Sequence, residues 1–208
     1  MKILALEFSS PLRSVAVAMD GVTRGTASEP GGRTTHPFAM IETALAQAGL
    51  GRGQIECLAV GLGPGSYAGI RIAIAIAQGW QIARGVKLLG LSSAEAVAAR
   101  AAQAGHTEVC IGLDAQRQEL FAARYDVSHI AAPRLLEPFH LCGPSESGDV
   151  LRMDLLPADE GASWIPKAEV LAELARHRTD FVSGAALEPI YLRKAEFVKA
   201  PPPAFSVL

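Results

Sequence analysis

The 208-residue chain is short of several things, and each shortage narrows what it can do. Its three cysteines, Cys57, Cys110 and Cys142, are odd in number and far apart, and none forms a C-x-x-C pair. That spacing argues against a disulfide framework or a thiolate zinc site. The five histidines, His36, His106, His129, His140 and His177, never fall at H-x-x-x-H spacing, so no helix face carries a two-histidine metal site. Long apolar runs are missing as well. The purest stretches are Ile3 to Leu6 and Ile72 to Ala77, whereas a bilayer span needs about 20 residues. The start shows no secretory pattern, because Lys2 is followed by a brief apolar run and then Glu7. A cytoplasmic, membrane-free protein is expected. There is also no dense basic stripe of the kind that grips a phosphate backbone. Residues 1–102 carry nine Lys/Arg against six Asp/Glu, and residues 103–208 carry ten against fifteen.

Apolar residues, by contrast, are plentiful. They make up 50% of the chain, and the mean hydropathy is +0.24. Without a membrane span to absorb it, that surplus points to a contact with another chain.

Turn and cap chemistry divides the sequence. "KILALE" reads as a central strand, apolar on both faces, with "SVAVA" a second strand and "VTRGTASE" a third, joined by Asp20-Gly21. "TTHPFAMIETALAQAGL" reads as a helix, capped by Thr34 or Thr35, with Pro37 in the first turn, Gly49 at the exit, and Phe38, Ile41, Leu45 and Ala48 at helical spacing. "IECLAVGLG" is the next strand. Residues 67–84 alternate Ile and Ala like a strand. Their length and alanine content favour a helix, with Ser66 as N-cap and Gly85 as stop. Its isoleucines spread around the cylinder, so the sheet covers one side only and the other needs a neighbour. "VKLLGLSS" is a strand and "SSAEAVAARAAQAG" a capped helix. Near His106 a second unit opens with two strands around Asp114–Gln118, a further strand at "LLEPFHLC", loops over 143–163 and a helix from Pro166. "LALEFSS" and "CIGLDAQ" echo one another: an apolar strand, an acid, a polar turn.

The chemical candidates are few. Gly63, Gly65 and Ser66 stand between a strand and a helix, where backbone amides suit an anion. The segment is neither a P-loop nor a dinucleotide fingerprint, and a tight structural turn is the simpler reading. Glu7 and Asp114 end apolar strands and could hold Mg²⁺ or water near a phosphate, alongside Ser9 and Ser10. A strand-end acid bonded to turn amides explains them equally well. No nucleophile stands out.

Taken in order, "ILALEFSS", "THPFAMIETALAQAG", "LAVGLGPGSYAGIRIAIAIAQG", "LLGLSSAEAVA", "GLDAQRQELFAARY" and "PIYLR" resemble the TsaB (YeaZ) family, most specifically in "GPGSYAGIR". The resemblance implies an α/β, actin/Hsp70-like (ASKHA, ribonuclease H-like) fold of two lobes with mixed sheets, here 1–104 and a reduced 105–208. It also implies a non-catalytic subunit in the synthesis of threonylcarbamoyladenosine on tRNA. Such a subunit pairs with TsaD through its first two helices, supports TsaE on that pair, meets tRNA only through the complex, and forms a homodimer when TsaD is absent. It has no cofactor of its own, with ATP or ADP at most at the interface of the complex. The matching helices are 36–50 and 67–84, and the expected contact set is His36, Ala39, Met40, Thr43, Arg71, Ile74, Ala75 and Gln78, with Ala73 and Ala77 permitting close approach. Departures are Glu7 where the family usually has Asp, and Tyr67-Ala68 where Phe-Thr is common. A metal-dependent glycoprotease or an ATPase using Glu7 and Asp114 is the rival reading, and a direct tRNA-binding module a third.

Overall fold

The computed structural model describes residues 1–32, 34–116, 119–129, 132–143, 149–155 and 164–192. Three strands form an antiparallel meander: β1 (Lys2–Glu7), β2 (Leu12–Met19) and β3 (Val22–Pro30). Asp20 (φ 52°) and Gly21 (φ 82°) make the two-residue turn between β2 and β3, both left-handed as a primed hairpin turn demands. Helix α1 (Pro37–Ala48) then returns the chain to β4 (Cys57–Gly61), which lies parallel to β1. Helix α2 (Tyr67–Arg84) leads to β5 (Lys87–Leu91), parallel to β4. The resulting sheet has the order β3-β2-β1-β4-β5.

A second sheet follows helix α3 (Ser93–Gln103). Strands β6 (Glu108–Gln116), β7 (Glu119–Asp126) and β8 (Arg134–Cys142) repeat the meander, and β9 (Val150–Arg152) pairs parallel to β6, in the order β8-β7-β6-β9. The echo between "LALEFSS" and "CIGLDAQ" is therefore a repeat of topology, with β6 standing in its sheet as β1 stands in the first. Pro138 lies in β8, an edge strand, where a missing N–H is tolerated.

Alternation along the central strands divides the core. Leu4 and Leu6 of β1 pack with Met40, Ile41 and Leu45 of α1 and Ile70, Ile74 and Trp80 of α2. Ile3 and Ala5 point to the opposite face, against α3 and a last helix, α4 (Ala168–Ala175). The N-terminus of α4 is tied to β2, because the Ala168 amide donates to Ser14 Oγ at 2.9 Å. Helix α3 lies between the sheets: Ala96 and Ala99 meet the first sheet, while Val97 and Ala101 meet β6 and β7. Its alanines permit approach on both sides. Both long helices on the first face end as their glycines predict, with Gly49 and Gly85 in the left-handed region.

Two local expectations need correction. The N-cap of α1 is His36, without a side-chain bond. Thr35 Oγ1 instead donates to the Pro30 carbonyl and accepts from the Gly32 amide, which closes the loop before the helix. The last helix begins at Ala168, two residues after Pro166. The tail beyond Leu192 and much of 143–163 lie outside the described residues, as do Arg117 and Gln118. Among the described residues no helix is long and apolar enough to cross a membrane.

Candidate functional site

Helices α1 and α2 sit side by side on one face of the first sheet. Ser66 caps α2, its Oγ accepting from the Gly69 amide at 3.3 Å. Gly69, Ile70, Ala73, Ile74, Ala77 and Trp80 form the buried stripe of α2. Gln78 and Gln81 flank it: Gln78 Nε2 donates to the Gly184 carbonyl at 2.8 Å, and the Gly184 amide donates to Gln81 Oε1 at 2.7 Å. Segment 182–187 thereby covers that flank. The opposite flank has no such cover among the described residues. Ala75, Gly79, Ile82 and Ala83 are exposed there and Ile72 and Ile76 half-buried, with Ile82 at 87% exposure. Phe38, in the first turn of α1, is 56% exposed on the same side. A groove of about 650 Å³ runs between the two helices, walled by Phe38, Ile72, Ala75, Ile76, Gly79 and Trp80, with Arg52 and Arg84 at its end.

The expected contact set divides on these facts. His36, Ala39, Thr43, Arg71 and Ala75 are exposed, and Ala75 lines the groove. Arg71 donates to the Tyr67 hydroxyl at 2.6 Å, and Tyr67 stacks on Tyr191. Met40, Ile74, Ala73 and Ala77 are core residues instead, turned to the sheet because each lies on its helix's inward stripe. Gln78 is committed to Gly184. Phe38, at helical spacing with the buried Ile41 and Leu45, is itself exposed. The exposed face is the complement of the 3.6-residue core stripe, so Gly79 and Ala83 could have been found by subtracting that stripe from α2.

A second concavity, about 810 Å³, opens between the first sheet's loops and the β6 end of the second sheet. Ser9, Ser10, Gly65, Ser66 and Asp114, five of the candidate phosphate contacts, line it. Glu7 and Gly63 do not. Glu7 is fully buried: Oε1 accepts from the Ser9 amide at 2.7 Å and Oε2 from Ser93 Oγ at 2.7 Å. The Gly63 amide donates to Ser93 Oγ, and the Ser66 amide to the Ser9 carbonyl. Those amides bind protein rather than facing the cleft, so the segment 63–66 is a tight turn, with a cis Gly63–Pro64 bond. Gly65, at φ 149°, could carry no side chain: a Cβ would lie 2.2 Å from the Ser9 carbonyl oxygen.

Burial raises the Glu7 carboxyl above its ordinary range, against the lowering pull of the Ser9 and Ser93 hydrogen bonds. A folded-state value above the unfolded one means that the native state holds the proton longer. This stabilisation is full below the usual carboxylate range and is lost as pH rises through the raised value. Glu7→Gln is thus expected to keep its melting temperature as pH rises above about 4.5, while the wild type declines relative to it. Parallel melting curves across pH 4 to 8 would contradict this.

The two mixed sheets, each opening on an antiparallel meander with a parallel strand added beside its first strand, define an α/β protein of the actin/Hsp70-like class. Comparison narrows that class. Residues 36–136 match the family model of TsaD, tRNA N6-adenosine threonylcarbamoyltransferase. The tRNA threonylcarbamoyladenosine biosynthesis protein TsaB of Haemophilus influenzae is 28% identical across 93% of this chain and 94% of its own length. Its namesake in Escherichia coli is 33% identical across 60% and 55%. The structure of YeaZ from Pseudomonas aeruginosa superposes with a TM-score of 0.75 at 26% identity, over 92% of this chain and 99% of that one. A structure of an uncharacterized protein with similarity to peptidase YeaZ from the same organism gives 0.76 at 27% identity over the same shares. Over nearly its whole length the chain is similar to the TsaB/YeaZ proteins.

Proposed function

We propose that this chain is a non-catalytic subunit in the biosynthesis of threonylcarbamoyladenosine on tRNA. Its 1–104 lobe docks on a TsaD-type transferase through the α1–α2 face, and the pair supports TsaE. The observation that carries the docking role is the uncovered flank of α2. Ile72, Ala75, Ile76, Gly79 and Ile82 are apolar, and the small Ala75 and Gly79 let another helix approach closely. The likeness to TsaB proteins along nearly the whole chain supports the pathway. When the transferase is missing, the same face meets a second copy of the chain. The protein acts in the cytoplasm, reaches tRNA only through the complex, and has no cofactor of its own, any ATP or ADP sitting at the interface of the complex.

The test is co-purification of the chain with tagged TsaD, with and without TsaE. The expected result is a stable pair, with TsaE retained only when both are present. Retention of TsaE by TsaD alone, or TsaD eluting without the chain, would refute the proposal.

A further inference from the structure

The groove between α1 and α2 is apolar along its walls and charged at one end. Among the described residues that line it there is no carboxylate, and the charged ones are Arg52 and Arg84. These two arginines differ. Arg52 is taken within the chain, its Nε donating to the Glu42 carboxylate at 2.5 Å. Arg84 donates to the Gly53 carbonyl at 3.2 Å and forms no ion pair with a described residue. It is exposed in the last turn of α2, next to the exposed Ile82 and Ala83. Glu42 is the single acid of α1, and α2 has none. Arg71, the other charged residue of α2, is turned to the Tyr67 hydroxyl.

We infer that Arg84 selects the occupant of this groove: a helix of the TsaD-type transferase, apolar toward Ile72 and Ile76, that brings an aspartate or glutamate to the C-terminal end of α2. The inference rests on the docking role and names the partner that the face prefers. A docked helix shuts water away from the end of the groove. There a guanidinium without a counter-charge is destabilising, whereas a carboxylate matches its fork with two parallel bonds. A second copy of the chain cannot supply that carboxylate from the same face. An isologous pair sets one patch against itself, and the acid of this patch is already held by Arg52. Self-pairing therefore leaves the Arg84 of both copies unanswered. Specificity is the difference between the two affinities, so Arg84 works against self-pairing as well as for the transferase. A partner helix antiparallel to α2 meets Arg84 with its first turn, where an acid also suits the helix dipole.

The experiment measures capture by tagged TsaD and self-association by sedimentation, for the wild-type chain, Arg84→Gln, Arg84→Glu and Arg84→Lys, each checked for folding by circular dichroism. Arg84→Glu is expected to weaken capture at least about tenfold, because reversal sets like charges together. Self-association of Arg84→Gln is expected to hold or tighten. Wild-type capture should weaken between about 0.05 and 0.5 M salt more steeply than capture of Arg84→Gln. Arg84→Lys keeps the charge and offers an amine, so carbodiimide should couple position 84 to an aspartate or glutamate of TsaD, identified by peptide mass spectrometry. This conservative variant decides the matter should Arg84→Glu fail to fold. Undiminished capture of folded Arg84→Glu, self-association of Arg84→Gln lost in step with capture, or an Arg84→Lys complex with no cross-link at position 84 would overturn the assignment. Full capture of Ala75→Arg would instead bring down the docking role itself.

Discussion

Ala75→Arg is expected to abolish capture of the chain by TsaD while leaving the protomer folded. Ala75 is exposed on the outer flank of α2 and lines the groove beside Phe38. In the free chain an arginine there stays in water, so the stability change should fall within about 0.5 kcal/mol. In a docked complex the same guanidinium is trapped in an apolar contact without a partner. An uncompensated interfacial charge costs about 2–5 kcal/mol, which is roughly a 30-fold to several-thousand-fold loss of affinity. Ala104→Arg at the end of α3, also exposed, carries the same chemistry off this face and should bind normally. The self-associated form should respond in parallel: wild-type chain sedimenting as a dimer at high concentration, Ala75→Arg as a monomer. Full capture of a folded Ala75→Arg variant would move the interface elsewhere.

A pair of glycine substitutions should separate the inner flank of α2 from the outer. A Cβ on Gly69 would lie 1.9 Å from the Phe8 carbonyl oxygen, and Phe8 is fully buried at the end of β1. The Phe8 carbonyl is backbone and cannot swing aside as a flexible side chain would, so relief requires α2 to lift from the sheet. Gly69→Ala should therefore destabilise by about 3 kcal/mol despite alanine's better helix propensity. For a chain of this length that is a fall of roughly 6–12 °C in melting temperature. A Cβ on Gly79 meets nothing within 4 Å. Gly79→Ala should instead raise stability by up to about 1 kcal/mol. Chemical denaturation of both variants measures the difference. Equal and small effects would mean that α2 does not seat on Phe8 as described.

Much of this architecture was readable from residue order. The central strands announce themselves because both faces are covered and little polar interrupts them. Asp20-Gly21, Gly49, Gly85 and Ser66 act through local backbone chemistry, so their roles survive without knowledge of the neighbours. Residues 67–84 are a helix, as length and alanine content required, and among the described residues one flank of it is uncovered. Side-chain destinations were less legible. Phe38 lies at helical spacing with Ile41 and Leu45, yet it is exposed while both of those are buried. The resemblance puts Met40 and Ile74 in the contact, although periodicity alone sends them inward. Gln78 is claimed by Gly184, a partner more than 100 positions away that no local pattern reveals. The same holds for the cleft. Glu7 looked like the phosphate-side acid, but Ser93 reaches it across the sheet and seals it in.

The most direct check of the account is amide hydrogen exchange on the chain alone and in the presence of TsaD. The account predicts slowed exchange in 37–48 and 67–84 on adding TsaD, with the α3 and α4 face unchanged. Protection centred on α3, α4 or the second sheet, with 67–84 unaffected, would contradict it.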